Sequence, residues 1–323
     1  MKRREFITLL GGTSLLAPFA VSAQQVGQTY RLAFLSANPR EAPQHLALLD
    51  ELRRQGFVEG QNLIVDQRGF STSYDKFLEV AAAMVQSPFD AILCSGEIAL
   101  RAAQQATRTV PILGVADDML AAGLVPSLAR PGGNTTGISI LATELDGKRQ
   151  ELLMEMLPKA RRMAALADPN STQADRLQTL KDAAHASGVE ISIHMVDNAD
   201  KIVPTIDEAK ASGAEALNFL STPLFNQNRS IIIQHVIALR LPSIHHLPEI
   251  VEDGGLVGYG ARITAMYRQM ARLVVKVLRG TAPADLPVEQ AATFELAFNL
   301  KTATAIGLVV PPSLLLRADK VLE

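Results

Sequence analysis

The sequence predicts an α/β chain folded as two lobes, each a parallel sheet with helices on both faces. Three observations carry this. Strand-like and helix-like segments alternate from residue 30 almost to the end, which dictates parallel strands joined by right-handed crossovers. The alternation breaks at 141–143 and restarts with the same grammar. The 323 residues are 48% hydrophobic, yet only 5% aromatic and without Trp. That length suits two lobes of roughly 130–150 residues. The cores must be built from Ala, Leu, Val and Ile, as in strands buried on both faces. Two runs of alternation, rather than one of eight closed units, favour open sheets over a barrel.

Each element has a local reason. Residues 30–35 are apolar and end in the polar loop Ser36-Ala37-Asn38-Pro39. The helix expected at 42–55 repeats Leu46, Leu49 and Leu52 on one face and stops at Gly56. Strands at 63–66, 91–94, 112–115 and 136–140 alternate with helices at 74–86, 97–107 and 121–129. Thr143 is expected to cap a long helix reaching 157. The second run has strands at 163–167, 190–195, 216–219 and 243–245, with helices at 174–187, 203–212 and 228–239. Asp253-Gly254-Gly255 interrupts it. A strand at 256–259, a strongly apolar helix at 263–278, a strand at 294–298 and a helix at 300–306 complete the chain.

The formal charge is −2, and the body has no run of Lys or Arg. Nothing there attracts a nucleic acid or an anionic membrane. Cys94 is the single cysteine, which excludes an intrachain disulfide and a multi-cysteine zinc site. It ends the run Ala91-Ile92-Leu93 and reads as a small buried hydrophobe. Residues 1–23 read as a cleaved secretory leader: basic Lys2-Arg3-Arg4, an apolar stretch from Phe6 to Ala20, then Val21-Ser22-Ala23. Arg3-Arg4 followed by Phe6 resembles the twin-arginine export motif. An ordinary secretory leader has the same basic start. No cysteine stands at the cleavage point to take a lipid anchor.

Catalytic motifs are missing. The dinucleotide pattern G-x-G-x-x-G is absent, since Gly255, Gly258 and Gly260 run in the reverse spacing. There is no P-loop, no G-x-S-x-G elbow and no H-E-x-x-H. His245, His246 and Glu249 lie close in sequence, but Pro248 separates them and no third metal ligand is near. No cofactor is expected. In open sheets, ligands sit outside the carboxyl ends of the strands, so two facing lobes make the cleft between them the expected site. Ser36, Ser95, Gly96, Glu97, Asp117, Asp118, Asn170, Ser221 and Thr222 all follow expected strands, and His246 and Glu249 join them as cleft residues. Their mix of acids, hydroxyls and helix N-termini suits a zwitterion, and sugars use the same residue types.

Several stretches together resemble one family. They are GFVEGQNLIVDQR (56–68), SLARPGGNTTGIS (127–139), KRQELLMEMLPKARRMAALADPN (148–170), EDGGLVGYG (252–260), GTAPADLPVEQ (280–290) and FELAFNLKTATAIGLVVPPSLLLRAD (294–319). In this order they resemble the bacterial ABC-transporter substrate-binding proteins of the tryptophan/tyrosine-type group. The resemblance implies the type I periplasmic-binding fold: two Rossmann-like lobes with a three-strand hinge. It implies a first lobe of 30–141 plus 250–287 and a second of 142–249 plus 288–323. Crossings are then expected near Leu141, at 249–254 and at 285–292.

It also implies a monomeric, non-enzymatic periplasmic protein that delivers a small solute to an ABC permease of the inner membrane. A sensory module handing its ligand to a receptor shares the same sequence grammar. The chain departs from the group where Ser95-Gly96-Glu97-Ile98 replaces a Thr/Ser-Gly-Thr-Pro-like loop. It departs again where Asp117-Asp118-Met119 replaces Gly-Asp-Pro. The departures add two acids, and so favour a ligand with an extra positive or hydroxyl group.

Overall fold

The computed structural model describes residues 28–323; the expected leader lies outside them. The first run of the chain lays down β1 (Tyr30–Leu35), α1 (Pro43–Arg54), β2 (Leu63–Val65), α2 (Phe77–Met84), β3 (Ala91–Ser95), α3 (Glu97–Ala106), β4 (Ile112–Ala116) and β5 (Thr135–Ser139). The chain then crosses into α4 (Ala142–Met156), β6 (Arg162–Ala167), α5 (Ala174–Ala186), β7 (Glu190–Met195), α6 (Ile202–Ala211), β8 (Leu217–Phe219), α7 (Pro223–Gln227), α8 (Arg229–Ala238), β9 (Ser243–His245), α9 (Pro248–Glu252) and β10 (Val257–Gly260). It returns for α10 (Ile263–Leu278) and β11 (Glu289–Gln290). It finishes in the second lobe with β12 (Glu295–Asn299), α11 (Leu300–Ile306), α12 (Pro312–Leu315) and β13 (Lys320–Leu322).

Two sheets result, with strand orders β11-β5-β4-β3-β1-β2 and β13-β12-β10-β9-β8-β6-β7. Every pairing is parallel except β10 with β12. This is the two-lobed α/β architecture of the type I periplasmic-binding fold. Both faces of each sheet are covered, as parallel strands require. In β1, Leu32 and Phe34 enter the core under α1 and α10, whereas Ala33 and Leu35 enter the one under α2 and α3. In β6, Met163, Ala165 and Ala167 face one core, and Ala164 and Leu166 the other. The period of two divides the buried residues of these central strands between the two cores. Cys94 lies in the first-lobe core, where burial pushes its thiol up.

Pairing moves the second expected crossing and fixes the third within 285–292, past the expected lobe boundary at 287. Residues 256–260 were grouped with the first lobe, but β10 bonds to β9 and β12 of the second sheet. The return therefore falls at Ala261-Arg262. Likewise β11 pairs with β5 of the first sheet, so the third crossing follows Gln290. Gly254 and Gly255 end α9 within the second lobe, with Gly254 at φ 113.

The first crossing stands near Leu141, but its helix is not capped by Thr143. The helix begins at Ala142, and Leu141 takes the cap position at φ 61 with no side-chain cap. No helix forms at 121–129. There Asp118 Oδ1 accepts from the backbone N–H of both Leu120 and Ala121, and Gly123 turns at φ 65. Those side-chain bonds hold a turn in place of a helix.

Gly114 and Gly137 pair directly between β4 and β5. A Cβ on Gly137 would lie 1.9 Å from the Gly114 carbonyl oxygen, with nothing flexible to yield. Gly137→Ala is expected to cost about 1–3 kcal/mol through forced strand separation. Urea unfolding checks this, and an unchanged midpoint contradicts it.

Candidate ligand cleft

The carboxyl ends of the strands in both sheets face each other across a cleft of about 830 Å³, counting its open mouth. The first lobe contributes Asn38 after β1, Gln44 on α1, Ser95, Gly96 and Glu97 after β3, and Asp117 after β4. The second lobe contributes Arg149 on α4, Ser171 after β6, Ser221 and Thr222 after β8, Asn226 on α7 and His246 after β9. Ile140, Leu247, Ile263, Met266 and Tyr267 supply apolar wall near the crossings. Ser95 Oγ and Tyr267 Oη lie 2.7 Å apart. Burial pushes the Tyr267 phenol up to about 12.

The lobes touch through a chain of alternating charges. One oxygen of Asp117, in the first lobe, accepts from Arg176 Nη1 of the second at 2.8 Å. Its other oxygen accepts from Ser221 Oγ at 2.9 Å. Arg176 Nε donates to Asp146, and Asp146 also accepts from Arg149 Nη2. Arg149 Nη1 donates to the Tyr259 carbonyl at 3.0 Å. Arg149 and Asp146 are 1% exposed and Arg176 6%. Burial raises the Asp117 carboxyl above its ordinary range against the pull of Arg176. Nearby, Glu97 Oε1 accepts from Arg101 at 2.7 and 2.9 Å. Burial raises its carboxyl as well. The two acids that set this chain apart from the group it resembles are thus each matched to an arginine, so the cleft is less acidic than their bare presence suggests.

Seven of the eleven expected site residues line the cleft: Ser95, Gly96, Glu97, Asp117, Ser221, Thr222 and His246. Four stand behind it. Ser36 is fully buried, and its Oγ accepts from the Asn38 N–H at 3.1 Å. Asp118 is spent on its own turn. Asn170 donates through Nδ2 to Asp168 at 3.0 Å, and Asp168 also accepts from Thr222 Oγ1 at 2.8 Å. These three organise the loops beneath the site. Glu249 reaches across the second crossing, where Oε1 accepts from the first N–H of α10 at 2.8 Å. Asn38, Gln44, Arg149, Ser171, Asn226 and Tyr267 were not expected. Arg149 carried a signal, because it falls in helical phase with buried Leu152, Leu153 and Met156.

His246 is almost buried. Burial, the positive Arg149 and neighbouring His245 hold its imidazole well below its ordinary range, so it is neutral at neutral pH. His245 is buried beneath it and stacks on Phe219 at 5.1 Å. Among the described residues no group of three or more His, Cys, Asp or Glu side chains is placed to hold a metal ion. Nor is any helix there long and apolar enough to cross a membrane.

Comparison with known proteins follows the same lines. A tyrosine-binding protein of Clostridioides difficile (strain R20291) is 24% identical over 265 residues, covering 80% of this chain and 74% of its own. A conserved domain protein of Vibrio cholerae has a TM-score of 0.83 at 24% identity, covering 91% of this chain and 99% of its own. The ABC domain of Streptococcus pneumoniae in complex with L-Trp has a TM-score of 0.82 at 21% identity, with the same coverage. The model of the ABC transporter substrate binding protein family matches residues 35–322. The chain belongs to that family, whose members bind solutes and are not enzymes.

Proposed function

We propose that this chain is the exported solute-capturing component of an ABC importer. It closes its two lobes over an amino acid or a related aromatic acid and presents the closed form to a permease. The observation that carries the reading is the cleft itself, walled by strand-end loops of two sheets whose lobes meet through Asp117, Arg176 and Ser221. A ligand touching both walls favours the closed form by differential contact. Three chain crossings make the motion a rigid-body one. The tyrosine-binding and L-Trp-bound relatives support the ligand class, and the leader-like residues 1–23 support export.

A thermal-shift screen of amino acids, aromatic acids, nucleosides and amines tests this. A true ligand at about 100 times its Kd stabilises by about 2.7 kcal/mol, a readily measured shift. Uptake of that ligand is expected to fall in a strain lacking the chain. Ligand turnover, or unchanged uptake, contradicts the proposal.

A further inference from the structure

We propose that the cleft selects an organic carboxylate with an apolar body and does not require an ammonium group, because the buried guanidinium of Arg149 on the second-lobe wall keeps one N–H without an acceptor. The assignment rests on the solute-binding reading above and narrows it.

The argument is an account of polar atoms. Arg149 spends Nη1 on the Tyr259 carbonyl and Nη2 on Asp146, and its Nε has no partner. His246 Nδ1 and Ser171 Oγ, on the same wall, are also buried and unpartnered. Leaving such a donor without an acceptor costs about 1–3 kcal/mol, and more when it is charged. Arg149 Nε can only donate, while His246 Nδ1 and Ser171 Oγ can each donate or accept, so the three together accommodate an acceptor supplied by the ligand. A carboxylate has two oxygens and the right charge for a guanidinium. The facing wall repeats the pattern: α3 opens on the cleft at Gly96 with no side-chain cap on its first N–H groups.

An ammonium finds less. Both oxygens of Asp117 are engaged and Glu97 Oε1 is held by Arg101, which leaves Glu97 Oε2 as the acidic oxygen still open to it. The amides of Asn38, Gln44 and Asn226 serve either kind of group and do not discriminate. The remaining wall near the crossings is apolar, as the body of an aryl- or alkyl-carboxylate requires.

The test is calorimetric titration of the purified protein with three matched probes: 3-(4-hydroxyphenyl)propanoate, L-tyrosine and tyramine. The indole series of 3-indolepropanoate, L-tryptophan and tryptamine is run beside them. The acid is expected to bind at least as tightly as the amino acid, with the amine weaker by about 100-fold or more, since it leaves the buried Arg149 Nε without an acceptor. Ser171→Ala is expected to weaken the acid about three- to tenfold, and leave unliganded stability unchanged. It serves even if Arg149→Gln fails to fold.

The carboxylate assignment is overturned if an amino acid or amine binds about tenfold tighter than its matched acid. In that case the solute-binding reading stands. If no probe in either series binds, the assignment is overturned as well, and the wider ligand screen decides the solute-binding reading separately.

Discussion

Arg176→Ala is expected to weaken capture of the ligand by about two to three orders of magnitude, with a much smaller loss of folding stability. Arg176 holds Asp117 from the first lobe and Asp146 from the second. Removing one partner of a buried pair costs about 3–5 kcal/mol, because a charge stays buried without compensation. Here the molecule has an escape. Opening the cleft returns Asp117 to water, while Asp146 keeps Arg149. The penalty therefore falls on closure and on the affinity that depends on it. Asp117→Asn is expected to weaken binding in the same direction.

Combining Asp117→Asn with Arg176→Gln is expected to restore much of the affinity, since a neutral pair replaces a charged one at little net cost. A double-mutant cycle by calorimetry reads the coupling directly. Additive losses contradict the latch.

Acid is expected to destabilise the fold well before its carboxylates titrate. His245 is buried against Phe219, and burial lowers its imidazole to about 3. His246 and His45 are lowered too. The unfolded chain binds protons near pH 6.5, where the folded chain does not. The stability these histidines provide is therefore complete above the unfolded value and is lost as pH falls towards the folded one. For His245 that window runs from about 6.5 down to about 3. His245 contributes a slope of about 1.4 kcal/mol per pH unit within that window, or about 2 kcal/mol by about pH 5.

Glu97, Asp117 and Glu249 act in the opposite sense, because burial raises their folded values. Comparison with His245→Gln cancels that contribution. Denaturant unfolding between about pH 6 and about pH 4.5 is expected to show a slope shallower by about 1.4 kcal/mol per unit in the variant. Equal slopes contradict the assignment.

How much of this the sequence revealed depended on distance along the chain. Strand and helix positions were readable because each depends on its own apolar period. The loops at Ser95, Glu97, Asp117, Ser221 and His246 were readable because topology puts strand ends at the cleft. The second crossing was misplaced at 249–254 because a glycine such as Gly254 marks a turn within a lobe as readily as a passage between lobes. What moves it is the pairing of Val257 with Phe298, which no local pattern shows.

The state of the acids divides in the same way. Arg101 stands four residues after Glu97, and a helix brings the two together. Arg176 meets Asp117 from 59 residues away. Arg149 and Arg176 themselves interrupt the apolar faces of α4 and α5. A charged residue in buried phase is a signal of this kind of site, although the sequence does not show which partner it meets.

The central claim is that the two lobes close on a small ligand. The latch between Asp117 and Arg176 contributes little net energy by itself, since desolvation offsets most of its attraction. Without ligand, the cleft should therefore open. Small-angle scattering of the purified protein, with and without a saturating ligand from the screen, tests this most directly. The account predicts a smaller radius of gyration on binding, with the liganded profile matching the structure described above. Identical profiles in the presence of a ligand that binds tightly would contradict it.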